Sequence, residues 1–268
     1  MSSAICHPSS LLLVGHGNMG SAMLASWRKN PANNISEFYV IDPKHSAHGL
    51  FFSDLDSLPK NINPGIIVFA AKPQQLAEIL PQYKKRFGNS PLYISIAAGK
   101  TLAFFTQHLG SDAKIIRAMP NTPALVGKAI TGLCHTPNID ESQKNQATAL
   151  IETFGKAVWV AESDMDAVTA ISGSGPAYVL LFLESLTKAG INAGLAPDIA
   201  QALALEMTHG TIHLASKIPE TFEKLRHNVT SKGGTTEAAL NILMSENGIE
   251  KLLDDAVKTA IKRAKELA

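Results

Sequence analysis

Short apolar runs punctuate the first 160 residues: Leu11–Val14, Phe38–Ile41, Ile66–Ala71, Leu92–Ile96, Ile115–Met119 and Ala157–Val160. Most are rich in β-branched residues and flanked by Gly, Pro or Asn, which predicts buried strands. Polar or helix-compatible stretches separate them, and strands alternating with helices predict a parallel sheet with right-handed crossovers. Asn138-Ile139-Asp140-Glu141 has the form of a capping box and predicts a helix to about Phe154. The pattern changes after Glu162. Long helical periodicities follow at Pro176–Ala189, Pro197–Lys217, Thr236–Ser245 and Gly248–Leu267, with no strand alternation. The chain therefore reads as an α/β domain over 1–161 and an all-α domain over 162–268. Within the second, Tyr178–Leu183 is apolar on every face of a helix. Such a helix must be buried all round, and a domain of about a hundred residues offers too little core for that, so a second subunit is expected to cover it.

Composition narrows the class. A chain of 268 residues suits two domains. With 45% hydrophobic and 18% charged residues it is an ordinary globular chain, and disorder is excluded. A net charge of +1 makes no case for nucleic acid. The two cysteines, Cys6 and Cys134, are too few for a disulfide framework or a Cys-rich zinc site and read as free thiols in a reducing compartment. Leu11–Val14 has no basic region before it and is too short for a signal peptide, and the run Ala177–Leu183 stops at Glu184, too short for a membrane span. A soluble cytoplasmic protein is expected. There is no H-E-x-x-H, no Cys/His cluster and no G-x-S-x-G, so no catalytic metal is expected.

The motifs supply the chemistry. Gly15-His16-Gly17-Asn18-Met19-Gly20 is a G-x-G-x-x-G run between the first strand and a helical stretch, Ser21–Trp27. The first glycine permits a tight turn, the second lets a pyrophosphate approach the backbone, and the third lets helix and strand pack closely. Phosphates would sit at the helix N-terminus, where free N–H groups and the dipole favour anions. Asp42 ends the next strand, where a carboxylate accepts hydrogen bonds from ribose hydroxyls. It would also repel a 2′-phosphate, which Lys44 and His45 would partly neutralise, so NADH is expected to serve at least as well as NADPH. Lys72, in Ala71-Lys72-Pro73, ends another strand and reads either as a ribose ligand or as a solvated charge. Ser95–Gly99 ends a strand in small residues that let a ligand lie against the backbone. Arg117–Pro123 sets Asn121 between two prolines, as a rigid ligand loop or a plain turn. Ser172–Tyr178 reads as a helix start at Pro176 or as a glycine linker. Thr230-Ser231-Lys232-Gly233-Gly234-Thr235-Thr236-Glu237 opens a helix with several N–H groups and hydroxyls. It suits a small carboxylate, simple N-capping by Thr235 or Thr236, or both.

Taken in order, these motifs resemble pyrroline-5-carboxylate reductases, from Leu11 to about Ala268, and Val229–Thr236 is the most specific of them. The resemblance implies a Rossmann domain and a helical dimerisation domain. It also implies NAD(P)H-dependent reduction of 1-pyrroline-5-carboxylate to L-proline. By motif, Gly15, His16, Gly17, Asn18 and Met19 would hold the pyrophosphate of NADPH or NADH. Asp42, Lys44 and Ser57 would lie near the adenosine ribose, and Ala71, Lys72, Pro73, Ala98 and Asn121 would border the nicotinamide. Asn228 would approach the cofactor from the helical domain. Ser231, Gly233, Gly234 and Thr235 would hold the substrate carboxylate, with Glu162 a neighbour. Thr236 would be the catalytic contact at the ring nitrogen. Two departures from the family pattern stand out: Lys232 replaces a usual Pro, and the second Rossmann helix is shortened around Lys44–Phe52.

Two other readings compete. A dinucleotide sensor without turnover would have no need of Lys72 together with the Gly-Gly-Thr-Thr loop. A β-hydroxyacid dehydrogenase would carry a Lys early in the helix at Pro176–Leu186, where this chain has none.

Overall fold

The structure is a computed structural model that describes residues 10–30, 35–44 and 50–267; Cys6 and His45 lie outside them. Its first half is built on one eight-stranded sheet in the order β3-β2-β1-β4-β5-β6-β7-β8. The strands are β1 (Ser10–Val14), β2 (Glu37–Ile41), β3 (Phe51–Phe52), β4 (Ile66–Phe69), β5 (Leu92–Ser95), β6 (Lys114–Met119), β7 (Ala129–His135) and β8 (Gly155–Trp159). β1, β4 and β5 are buried along their whole length, as apolar strands covered on both faces must be.

Four helices do the covering: α1 (Asn18–Lys29), α2 (Leu76–Phe87), α3 (Leu102–Leu109) and α4 (Glu141–Glu152). One core joins alternate strand residues Leu11, Leu13, Val40 and Val68 to Trp27 of α1 and Leu150 and Ile151 of α4. The indole N–H of Trp27 donates to Leu150 O at 3.0 Å and so ties those two helices together. The other face packs Leu12, Val14, Ile67 and Phe69 against Leu80 and Tyr83 of α2 and Phe105 of α3.

Every apolar run read as a strand forms one, but the sheet is not wholly parallel: β7 runs antiparallel to β6. β7 escapes a search for apolar runs because Thr131 and Gly132 interrupt it. Gly132 is required there, since a Cβ would lie 2.6 Å from Val168 Cγ1. β3 is only two residues long. α2 is masked in the sequence by Pro81 inside it. The capping box is also shifted: Asp140, not Asn138, caps α4, accepting from Gln143 N–H while the Gln143 side chain accepts from Asp140 N–H. Asn138 instead donates to Asp112 O and Ala113 O.

The chain divides into two compact units, one running to Ser174 and taking back the chain from Ala260, the other spanning Gly175–Thr259. In the first, Leu267 lies over Gly99, and Lys100 Nζ donates to Leu267 O at 3.4 Å. This unit also holds the short helix α5 (Met165–Val168) and a π-helical turn at Thr169–Gly173. The Ser172–Tyr178 motif is therefore helix, not linker. Pro176 has no N–H for the Ser172 carbonyl four residues back, and that carbonyl is taken by Asn121 Nδ2 at 3.1 Å.

The second unit contains α6 (Gly175–Asn192), α7 (Pro197–Lys217), α8 (Phe222–Asn228) and α9 (Thr235–Leu243). It also holds most of α10 (Ile249–Glu266). α6 and α7 pack closely, for a Cβ on Gly190 would meet Ala200 Cβ at 3.1 Å. Val179, Leu180, Leu181 and Phe182 remain 44–65% exposed in the single chain.

Gly155 opens β8 opposite Ala129, and a Cβ there would lie 2.1 Å from Ala129 O. That obstacle is backbone and cannot swing aside. Gly155→Ala is therefore expected to destabilise the protein by about 2 kcal/mol, read as a lowered urea midpoint at fixed protein concentration.

Candidate active site

A cleft of about 820 Å³ opens beyond the carboxyl ends of β1, β2 and β4, lined by Gly15–Asn18, Asp42–Lys44, Ser53–Leu55 and Ala70–Lys72 among others. This is where the strand order reverses, between β1 and β4, the position at which doubly wound sheets bind ligands.

The three glycines of the first motif do three different jobs. Gly15 has φ +97°, and a Cβ would sit 2.7 Å from Ala70 C. On Gly20 a Cβ would strike Gly15 O at 2.4 Å, so this glycine sets the approach of α1 to β1. Around Gly17 nothing lies within 4 Å of a built Cβ. That open space lies at the N-terminus of α1, where Gly17 is the N-cap and no side chain caps the helix. A diphosphate fits this cradle: it needs a bare backbone approach and unsatisfied N–H donors.

Asp42 is more committed than its spacing suggests. Its Oδ2 accepts from His16 N–H at 2.6 Å and its Oδ1 from Lys44 N–H at 2.9 Å. The carboxylate thus joins the glycine loop to the turn after β2. A carboxylate accepts hydrogen bonds at both oxygens, the property a ribose diol would use. Asp54 lines the same cleft. The Ser57 N–H, with the Ser53 hydroxyl, holds its carboxyl below the usual carboxylate range. Arg86 of α2 anchors the segment that follows, donating to Leu55 O, Leu58 O and Pro59 O. Neither Asp54 nor Arg86 stood out in the sequence, where both look like surface charges.

Gly15, His16, Gly17, Asn18, Asp42, Lys44, Ala71 and Lys72 all line the cleft; Met19, Ser57, Pro73, Ala98 and Asn121 do not. Met19 packs on the core and Pro73 opens a 3₁₀ turn, while Ala98 is half-buried in the turn after β5. Ser57 is spent on the Asp54 turn, its hydroxyl donating to Asp54 O. Asn121 is buried and its amide is used at both ends, donating to Ser172 O and accepting from Ile130 N–H. Of the segment around Lys44–Phe52, Pro43 and Lys44 form a turn and Phe51–Phe52 is strand; 45–49 lie outside the described residues.

Glu162 also has a structural duty. Its Oε1 accepts from Leu102 N–H at 2.5 Å, in the first turn of α3, and lies 3.6 Å from Arg117 Nη1. Arg117 is 3% exposed, so the carboxylate balances a charge buried in β6. Burial also pushes the neighbouring Cys134 thiol up to about 12 despite the Arg117 charge.

In the second unit, the Gly-Gly-Thr-Thr segment begins α9. Gly234, not either threonine, is the N-cap, and no side chain caps the helix. Gly233 has φ +73° and gives its N–H to Glu237 Oε2 at 2.7 Å. Gly234 N–H donates to Ser231 O at 3.0 Å. Both glycine N–H groups are bonded within the loop in the unliganded chain. Thr235 and Thr236 occupy the first two helical positions, whose N–H groups have no intrahelical acceptor. Asn228 ends α8 and is exposed.

The comparisons with known proteins agree on one family. Residues 162–267 match the family model for pyrroline-5-carboxylate reductase dimerisation. Curated pyrroline-5-carboxylate reductases from Synechocystis sp. and Haemophilus influenzae are 41% and 34% identical, over 95% and 96% of this chain and 97% of each relative. The chain belongs to the pyrroline-5-carboxylate reductase family. A solved Plasmodium falciparum pyrroline carboxylate reductase with NADP bound is 32% identical with a TM-score of 0.86, covering 97% of this chain and 98% of that one. The Coxiella burnetii pyrroline-5-carboxylate reductase gives 31% and 0.87 over 98% and 99%.

Gly15 and Gly17 separate architecture from binding. Gly15→Ala is expected to lower the melting temperature by about 4 °C or more, because it meets both an unfavourable φ and a backbone collision. Gly17→Ala should stay within about 2 °C of wild type and raise the dissociation constant for NAD(P)H about tenfold or more, seen by fluorescence titration.

Proposed function

We propose that this protein reduces 1-pyrroline-5-carboxylate to L-proline with NAD(P)H, the last step of proline biosynthesis, as a homodimer in the cytoplasm. Family membership carries the reaction. The glycine cradle beside Asp42 supports the nucleotide site, and the exposed apolar helix α6 supports the assembly. Together with the turns before it, α6 forms a 31-residue helical stretch, Glu162–Asn192, apolar and long enough to cross a membrane. The dimerisation match over the same residues accounts for that apolarity without lipid. Residues 162–268 are read as the dimerisation and substrate half, and the single chain leaves their apolar faces for the partner to cover.

A reduced nicotinamide bound in the cleft supplies the hydride. The chain's own work is binding and orientation. Gly15–Asn18 take the diphosphate, Asp42 and Lys44 the adenosine ribose, and Ala71 and Lys72 the nicotinamide side. A protonated C=N is already electrophilic, so the site needs no strong general base. The loop Ser231–Thr236 takes the carboxylate through Thr235 and Thr236 N–H, and the Thr236 hydroxyl bonds the ring nitrogen. Asn121 borders the nicotinamide and Glu162 neighbours the substrate, each held by the contacts described above.

Steady-state oxidation of NADH and NADPH with 1-pyrroline-5-carboxylate tests the reading directly. Turnover is expected with both nucleotides, with kcat/KM for NADH at least equal to that for NADPH, because Asp42 and the ionised Asp54 share the cleft. A hundredfold preference for NADPH would show that Lys44 outweighs them.

Thr236→Ala should lower kcat/KM by about 10- to 1,000-fold, the range for losing a preorganised donor. Thr236→Ser should keep most of the rate. The hydroxyl does not cap α9, so the Ala variant is expected to melt close to wild type. A folded Ala variant within about twofold of wild type would mean that another group serves the nitrogen.

A further inference from the structure

The loop proposed to take the substrate is held by a residue with no place in the reaction. Glu237 is the third residue of α9, and its carboxylate reaches back to the Gly233 N–H at 2.7 Å. Glutamate suits this position, where the helix dipole favours a negative charge and where a side chain naturally returns to the chain before the helix. Gly233, at φ +73°, has the backbone freedom of glycine. It needs an external partner to stay in one conformation. A second bond, Gly234 N–H to Ser231 O, closes the turn, and Ser231 Oγ sits where a Cβ on Gly234 would come within 2.5 Å. The turn is therefore closed by one neutral bond and one charge-assisted bond, and the second is roughly twice as strong.

We propose that Glu237 is a positioning residue of the substrate loop. Its carboxylate keeps the Ser231–Gly234 turn shut, so that the Thr235 and Thr236 N–H groups and the Thr236 hydroxyl meet the imine as a fixed set. The inference rests on the reading that this loop takes the imine. Glu237 acts only through Gly233. Losing it frees the turn, and ordering the turn again then opposes substrate binding, while the nucleotide cleft is untouched. The signature is a change in KM for the imine without a matching change in kcat or in KM for NAD(P)H.

The test uses Glu237→Ala and Glu237→Gln in the full-length enzyme, with steady-state kinetics and amide hydrogen exchange over the 231–237 segment. Ala is expected to raise KM for 1-pyrroline-5-carboxylate about tenfold, to leave KM for the nucleotide unchanged, and to speed exchange in the loop. Gln keeps an acceptor oxygen and should restore most of both properties. An Ala variant with wild-type KM for the imine, or with unchanged loop exchange, overturns the proposal. So does a parallel rise in both KM values that Gln does not rescue, which would mark general structural damage. If the wild-type enzyme itself fails to turn over the imine, the functional reading falls, and the exchange measurement alone decides whether Glu237 holds the loop.

Discussion

The nucleotide-binding half depends on a contact between bare backbones. Gly15 lies against the chain at Ala70–Ala71, and Gly20 lies against the Gly15 carbonyl, each closer than any side chain allows. These approaches bring the end of β1, the start of α1 and the end of β4 to one point. The cleft opens at that point because the strand order reverses there. Gly17, between these two crowded glycines in the chain, faces open space. The same short motif thus supplies both close backbone packing and an open backbone face.

Around that point, polar groups hold the loops. Asp42 bonds the glycine loop and its own turn. Asn121 fills the carbonyl that Pro176 cannot serve and steadies the start of β7 as well. Glu162 answers both the buried Arg117 and the first turn of α3. Arg117 and Asn121 are buried and would be costly to leave unpaired, and the contacts His16–Asp42, Asn121–Ser172 and Leu102–Glu162 each join segments far apart in sequence. They therefore specify the arrangement of the ends of β1, β2, β6 and α3, where a ligand site needs precision most.

The helical unit is governed by a different constraint. Its helices carry more apolar surface than one chain of this length can bury, and α6 is the extreme case, exposed along Val179–Phe182. Exposed apolar surface on this scale marks an interface, in agreement with the dimerisation match over 162–267.

Local physics made much of this legible in the residue order alone. The apolar runs had to become buried strands, since nothing else satisfies short β-branched segments between turn residues. The glycine spacing had to make a tight turn before a helix, and the all-round apolar helix had to find a partner. Strand β7, whose run is broken by Thr131 and Gly132, and helix α2, interrupted by Pro81, were hidden because their stability comes from neighbours rather than from their own pattern. The duties of polar side chains were hidden more deeply. Asn121, Glu162 and Ser57 each bond distant or neighbouring groups of the chain that no spacing announces, and Glu237 bonds the Gly233 N–H. A side chain's hydrogen-bonding capacity is set by its type, but its partner is set by which distant N–H or carbonyl the fold brings within about 3 Å, and only the tertiary structure decides that.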